Sequence, residues 1–131
     1  MKTPLFALAC SAFALTLSAC GLTETTTPVS SGGNGEISVS STSDACTLSA
    51  TEASSGTLTF RVKNEGTEAT EFYLYASDGL RTVGEVENIG PGLTRDLVVQ
   101  VIAGDYVTAC KPGMVGQGIR NTFTVTEPVS P

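Results

Sequence analysis

Apolar residues recur with a period of two along most of the chain, and no stretch of ten residues carries the spacing of an amphipathic helix. Ile37 and Val39 alternate with polar residues, which predicts a strand over residues 36–42. A turn-like approach through Ser43, Asp44 and Ala45 leads to Cys46 and a short strand at 47–51. Leu58, Phe60 and Val62 alternate with Thr57, Thr59, Arg61 and Lys63, the pattern of a strand half-buried against a core. Asn64-Glu65-Gly66 closes it as a hairpin-type turn. At 71–76, Phe72 and Leu74 share one face, with Glu71, Tyr73 and Tyr75 on the other. Ser77-Asp78-Gly79 turns the chain, a strand follows at 81–87, and Ile89-Gly90-Pro91-Gly92 forms a rigid turn. Leu97, Val99 and Val101 mark the next strand, and after the turn Ala103-Gly104-Asp105 the chain runs from Tyr106 to Cys110. A last strand at 119–126 faces Phe123 and Val125 inward. Seven to eight short strands with turns about every ten residues predict an all-β Greek-key sandwich.

The first 35 residues have a different pattern. Lys2 precedes an apolar run over residues 5–17, shorter than the ~20 residues of a membrane span. With the small residues that follow, residues 1–19 read as a lipoprotein signal peptide. Leu17-Ser18-Ala19-Cys20-Gly21 resembles the lipobox of bacterial lipoproteins, which implies lipidation of Cys20 and an extracytoplasmic, lipid-anchored protein of the bacterial envelope or periplasm. Lipid would be the protein's only contact with the membrane, and the compartment permits disulfides. The Thr/Ser/Gly/Pro composition that follows reads as a flexible linker to residue 35, leaving one domain at 36–127 and a tail at 128–131.

Charge and composition remove whole classes of function. Without Lys2, six basic residues face thirteen acidic ones, a net charge of −7 that disfavours nucleic acid and suits cations. The chain contains no histidine. That absence excludes serine triads, histidine acid–base chemistry, the common zinc hydrolase sites and the ordinary type 1 copper centre. No nucleophile motif is present, so the expectation is a protein that is not an enzyme.

The stretch AGDYVTACKPGM, residues 103–114, carries the candidate chemistry. A strand that delivers Cys110 to one end of a sandwich, with the Met114 thioether just beyond, is a way to build a metal site there. A next-to-last strand used in this way suits a sandwich of cupredoxin type. The alternative is a disulfide between Cys46 and Cys110, which are the two cysteines of the domain. Closing that loop would contribute about 4 kcal/mol by chain entropy. A redox-cycling pair is a third reading. Thiolate and thioether favour Cu(I), and carboxylate with phenolate favours iron, so the metal would be iron or copper.

The pieces ACTLSATEASSGTLTFRVKNEG, TEFYLYA, GEVENIGPGLTRDLVV and GDYVTACKPGMVGQGIR occur in that order. With them the chain resembles the cupredoxin-like domain of the EfeO-type component of bacterial iron uptake systems. The resemblance implies a metal site using Cys46, Glu71 and Cys110, with Tyr73 where some relatives carry a second acid. Glu85 and Glu87 match further acids of the family and imply a weaker second cation site. Family members commonly add a helical imelysin or M75-peptidase-like domain whose metal motif contains histidine, so this chain reads as a stand-alone version. The implied function is metal binding in iron uptake or metal delivery, with an iron permease or related envelope protein as partner. The alternative is a disulfide-stapled, non-catalytic interaction module at the membrane surface.

Overall fold

The computed structural model describes residues 35–128. The signal-peptide reading, Cys20 and most of the linker, and the last residues of the tail lie outside the described residues. Among the described residues there are nine strands in two sheets. The first sheet has the order β2-β1-β4-β7, made of Cys46–Leu48, Glu36–Ser41, Gly56–Asn64 and Thr94–Val101. The second has the order β3-β9-β8-β5-β6, made of Glu52–Ser54, Ile119–Thr126, Gly104–Cys110, Thr70–Ala76 and Thr82–Ile89. The all-β Greek-key expectation holds, with β1 running parallel to β4 and β3 parallel to β9.

The strand expected at 47–51 ends at Leu48, and a separate strand, β3, starts at Glu52 in the other sheet. β2 pairs with β1 and β3 pairs with β9, so the chain changes sheets at residues 49–51. Two backbone hydrogen bonds mark the crossing, Ser49 N to Ser38 O at 2.8 Å and Thr124 N to Thr51 O at 2.9 Å. A segment of small residues, Ser49-Ala50-Thr51, commits no large apolar face to either sheet, and the hydrogen bonds decide its path.

Between the sheets, the alternating residues of β4, β5 and β9 supply a central aromatic trio. Phe60 packs against Phe72 at 5.2 Å and against Phe123 edge-on at 5.3 Å. All three rings are buried, with Leu58, Val62, Leu74 and Ile89 around them. Burying each such side chain contributes about 1.5–3 kcal/mol relative to exposure. The sandwich closes where β6 meets β7, at Gly84 against Val99 and Leu97. No helix among the described residues is long and apolar enough to cross a membrane.

Candidate functional site

The end of the sandwich that receives Cys110 is built around Asn64, the last residue of β4. Its side-chain amide donates to the carbonyls of Glu68 and Ile89, both at 2.7 Å, and its Oδ1 accepts from Gly66 N at 2.9 Å. Its backbone also pairs with the 90–93 turn, donating to Leu93 O and accepting from Gly92 N. One buried side chain therefore fixes the 65–69 and 90–93 loops together. Next to this hub, Ser41 and Thr70 share a buried hydroxyl hydrogen bond of 2.8 Å between the sheets. The 111–118 loop docks on the same end through Gly113 N, which donates to Ala69 O at 2.8 Å.

Cys46 and Cys110 are bonded to each other, joining β2 of one sheet to β8 of the other across a Cα separation of 5.6 Å. Cys110 is 0% exposed and Cys46 8%. Asn121 donates its side-chain amide to Cys46 O at 3.0 Å and holds the β2 end of the bridge in place. With the sulfurs paired, neither is a thiolate ligand in this state. Met114 lies 42% exposed in the short 3-10 turn Pro112–Met114, while Cys110 is fully buried.

The acids form a separate constellation on the outer face of the second sheet. Thr70 pairs with Ile89 and Phe72 with Val86, so Glu87 and Asn88 together oppose Glu71 in a β-bulge. Asn88 takes a left-handed φ of 55° to make the bulge. The bulge turns both Val86 and Ile89 into the core and leaves Glu87 on the outside beside Glu71. The Tyr73 hydroxyl donates to both acids, at 3.0 Å to Glu87 Oε1 and 3.1 Å to Glu71 Oε2. Glu85 lies directly across from Tyr73 in the ladder but is exposed.

This outer face carries two buried tyrosines rather than a solvated polar surface. Tyr73 is 8% exposed and stacks on Tyr75 with centroids 5.3 Å apart and ring planes within 3°. Lys111 Nζ sits 4.0 Å from the centroid of the Tyr73 ring, and the Arg120 guanidinium lies 5.0 Å from that of Tyr75. The aliphatic stems of these cations suit the task of covering the rings. Burial, then the hydrogen bonds to Glu87 and Glu71, push the Tyr73 phenol well above the ordinary tyrosine range. It is a proton donor, not a phenolate.

Lys111 is a member of this site that the sequence pattern did not single out. Its backbone pairs with Glu71, donating to Glu71 O at 2.8 Å, so it follows directly on the β5–β8 ladder. The only signal was its position one residue beyond Cys110, on the opposite face of an alternating strand.

The structure thus brings together Glu71, Tyr73 and Glu87, and separately Cys46 and Cys110. Among the described residues no group of three or more His, Cys, Asp or Glu side chains is placed to hold a metal ion. The donor set does not fit a type 1 copper centre, which needs histidine nitrogens beside a cysteine thiolate. A cleft of about 410 Å³ lies on the outer face of the other sheet, among Ser40, Thr47, Arg61 and Lys63. Its cations are already paired, Arg61 with Glu36 at 3.0 Å and Asp96 at 3.6 Å, and Lys63 with Glu65 at 2.9 Å.

Comparison with known proteins agrees with this architecture. The sequence profile described as "Cupredoxin-like domain" matches residues 7–125. No curated protein matches the chain by sequence. Among solved structures, dithionite-reduced auracyanin from Roseiflexus castenholzii superposes with a TM-score of 0.56 at 16% identity, covering 70% of this chain and 96% of that one. The azurin Az-iso2 from Methylomonas sp. strain J gives 0.56 at 17% identity, covering 72% and 100%. Auracyanin A from Chloroflexus aurantiacus, described as a blue copper protein, gives 0.50 at 17% identity, covering 70% and 100%. At such identities the likeness is one of fold.

Proposed function

The chain belongs to the cupredoxin-like domain family, and from that premise we propose that it is a lipid-tethered, disulfide-stapled docking module of the bacterial envelope. In this reading it serves iron uptake or metal delivery by engaging a permease or related envelope protein. The observation that carries the reading is the Cys46–Cys110 bond, which puts the strand-delivered cysteine into a structural cross-link. The iron-uptake context rests on the resemblance of the four sequence pieces described above.

The docking face is the loop end around Asn64. Leu93, Met114 and Val115 are exposed apolar residues on loops tied to that hub or to the neighbouring β5 start. The short polar connections beneath them are internally satisfied, so the end is preformed. Exposed apolar side chains above a hydrogen-bonded polar base suit recognition of a protein surface. The metal is cargo in this scheme and passes through the partner.

The test is uptake of labelled iron, and separately copper, by a strain lacking this chain. Complementation with the wild-type chain restores uptake, whereas Cys20→Ala and the double substitution Leu93→Glu with Val115→Glu do not. The reading fails if the deleted strain takes up both metals at the parental rate. Titration of the non-reduced full-length chain decides the ligand role independently. Binding of Fe(III) or copper tighter than about 10 μM would replace docking with direct ligation.

A further inference from the structure

We propose that the end of the sandwich opposite the Asn64 loops lies against a lipid bilayer, with Leu80 and Ile102 entering its headgroup–acyl boundary. The proposal rests on the tether reading above and extends it, since acyl chains on Cys20 are then not the only contact with the membrane. The exposed large apolar side chains of the described residues fall mainly on the two ends. Leu93, Met114 and Val115 are at the loop end, and Val98 lies on the outer face of the first sheet. Leu80 and Ile102, 77% and 79% exposed, lie at the other end, on the β5–β6 and β7–β8 turns. Strand pairing puts those turns together. Gly56, which opens β4, pairs with Val101, and Ala76, which closes β5, pairs with Tyr106 near the start of β8.

The course of the chain says what covers this end. β1 runs parallel to β4, so the chain traced backwards from Glu36 heads toward the end where β4 begins. Thr59 N donates to Gly35 O at 3.1 Å and fixes that departure. Residues 21–34 separate Gly35 from Cys20, and fourteen residues reach no further than roughly 50 Å. A lipid on Cys20 therefore keeps the bilayer within reach of Leu80 and Ile102 and raises its local concentration there. The Asn64 end lies about 30 Å further away, along the nine residues of β4.

The backbone at this end suits a water-poor surface. Contact with lipid costs most where peptide groups lose water without gaining another partner. In the Leu80 turn, Asp78 Oδ1 accepts from Leu80 N at 2.8 Å and Arg81 N at 3.0 Å. Arg120 donates to Gly79 O at 2.8 Å, and Ala76 N donates to Arg81 O at 2.9 Å. In the other turn, the Tyr106 hydroxyl donates to Ile102 O at 2.9 Å. Both apolar tips thus stand on turns held by hydrogen bonds within the protein. Asp78, Asp105 and Glu127 lie at the same end and disfavour anionic lipid, so the surface is a neutral, zwitterionic one. The Asn64 loops then point away from the bilayer, toward a part of the partner that stands clear of the lipid.

The experiment uses the full-length chain, made in a bacterial host that processes lipoproteins and reconstituted in phosphatidylcholine nanodiscs carrying nitroxide-labelled acyl chains. Paramagnetic broadening of the amide signals reads which end meets lipid. Signals of residues 78–81 and 101–104 broaden about threefold or more beyond those of 92–93 and 113–116. Leu80→Glu with Ile102→Glu removes the difference, whereas Leu93→Glu with Val115→Glu leaves it in place. Partial replacement of phosphatidylcholine by phosphatidylglycerol weakens it. Equal broadening at both ends, stronger broadening at 113–116, or survival of the difference in the Leu80 and Ile102 double variant overturns the proposal. A difference that phosphatidylglycerol does not weaken overturns it as well. The wild-type comparison of the two ends decides even if a variant does not fold. Flotation with phosphatidylcholine vesicles separates the two readings. A wild-type chain that does not float removes the tether and this proposal together, and one that floats without an end preference removes this proposal alone.

Discussion

Gly84 faces Val99 across the junction of the two sheets with no room for a methyl group between them, since a Cβ on Gly84 would overlap Val99 Cγ1 and crowd Leu97 Cδ1 at 3.3 Å. The β-branched Val99 has little rotamer freedom with which to give way. Gly84→Ala should therefore destabilise the domain by about 1–3 kcal/mol, the usual range for overpacking. Gly84→Val should cost more. Urea denaturation of the variants, read as a shift in midpoint at constant slope, is the measurement.

Loss of the Cys46–Cys110 bridge has a separate signature. The two residues lie 64 apart in sequence, and freeing a loop of that size should cost about 4 kcal/mol. Cys46→Ala with Cys110→Ala should show that loss in denaturation. The intact mass of the non-reduced wild-type domain should be two hydrogens below the fully reduced form. An identical mass before and after reduction would show that the bridge is not present in solution.

Asn64 is predicted to matter more than any other polar side chain at the loop end. Asn64→Ala leaves the buried carbonyl of Ile89 and the part-buried carbonyl of Glu68 without their donor. At about 1–3 kcal/mol per unsatisfied group, the variant should be among the least stable of the polar substitutions. Asn64→Asp keeps an acceptor for Gly66 N but loses the donors, so it should not rescue. Hydrogen exchange should show the 65–69 and 90–93 loops opening together in both.

Stability should fall at both ends of the pH scale for different reasons. Tyr73 has a raised pKa in the folded state, so above about pH 10 the unfolded chain releases a proton that the folded chain retains. Its contribution is complete below that pH and is lost as pH climbs toward the folded value; Tyr73→Phe should flatten the alkaline limb. Asp78 accepts from Arg81 N at 3.0 Å and Leu80 N at 2.8 Å, which lowers its pKa. That contribution is present above the ordinary aspartate range and is lost as pH falls through the folded value. Thermal melts across pH, compared between wild type and Tyr73→Phe, check the alkaline assignment.

Much of the fold was legible because most strands carry one apolar and one polar face, as in β4 and β9, where a period of two fixes both the strand and its orientation. The sheet change at 49–51 was not, because Ser49, Ala50 and Thr51 have no large apolar side chain to commit. The bulge in β6 was hidden for a related reason. Val86 and Ile89 are three apart, a spacing that contradicts a regular strand, so the pattern placed Ile89 in a turn instead. That displaced residue is what sets Glu87 beside Glu71. Burial of Tyr73 and Tyr75 also escaped the pattern. It depends on Lys111, just after β8, and Arg120 in β9 reaching over the rings, contacts that only the pairing order reveals. The two cysteines were legible as a pair, and the choice between bond and ligands needed their geometry.

The Cys46–Cys110 bond also encloses β2 through β8 within a single covalent ring. A protease that cuts the backbone anywhere between residues 47 and 109 opens that ring without dividing the molecule. Wherever a protease meets exposed loops, a nicked copy would stay whole and keep both halves of the sandwich together.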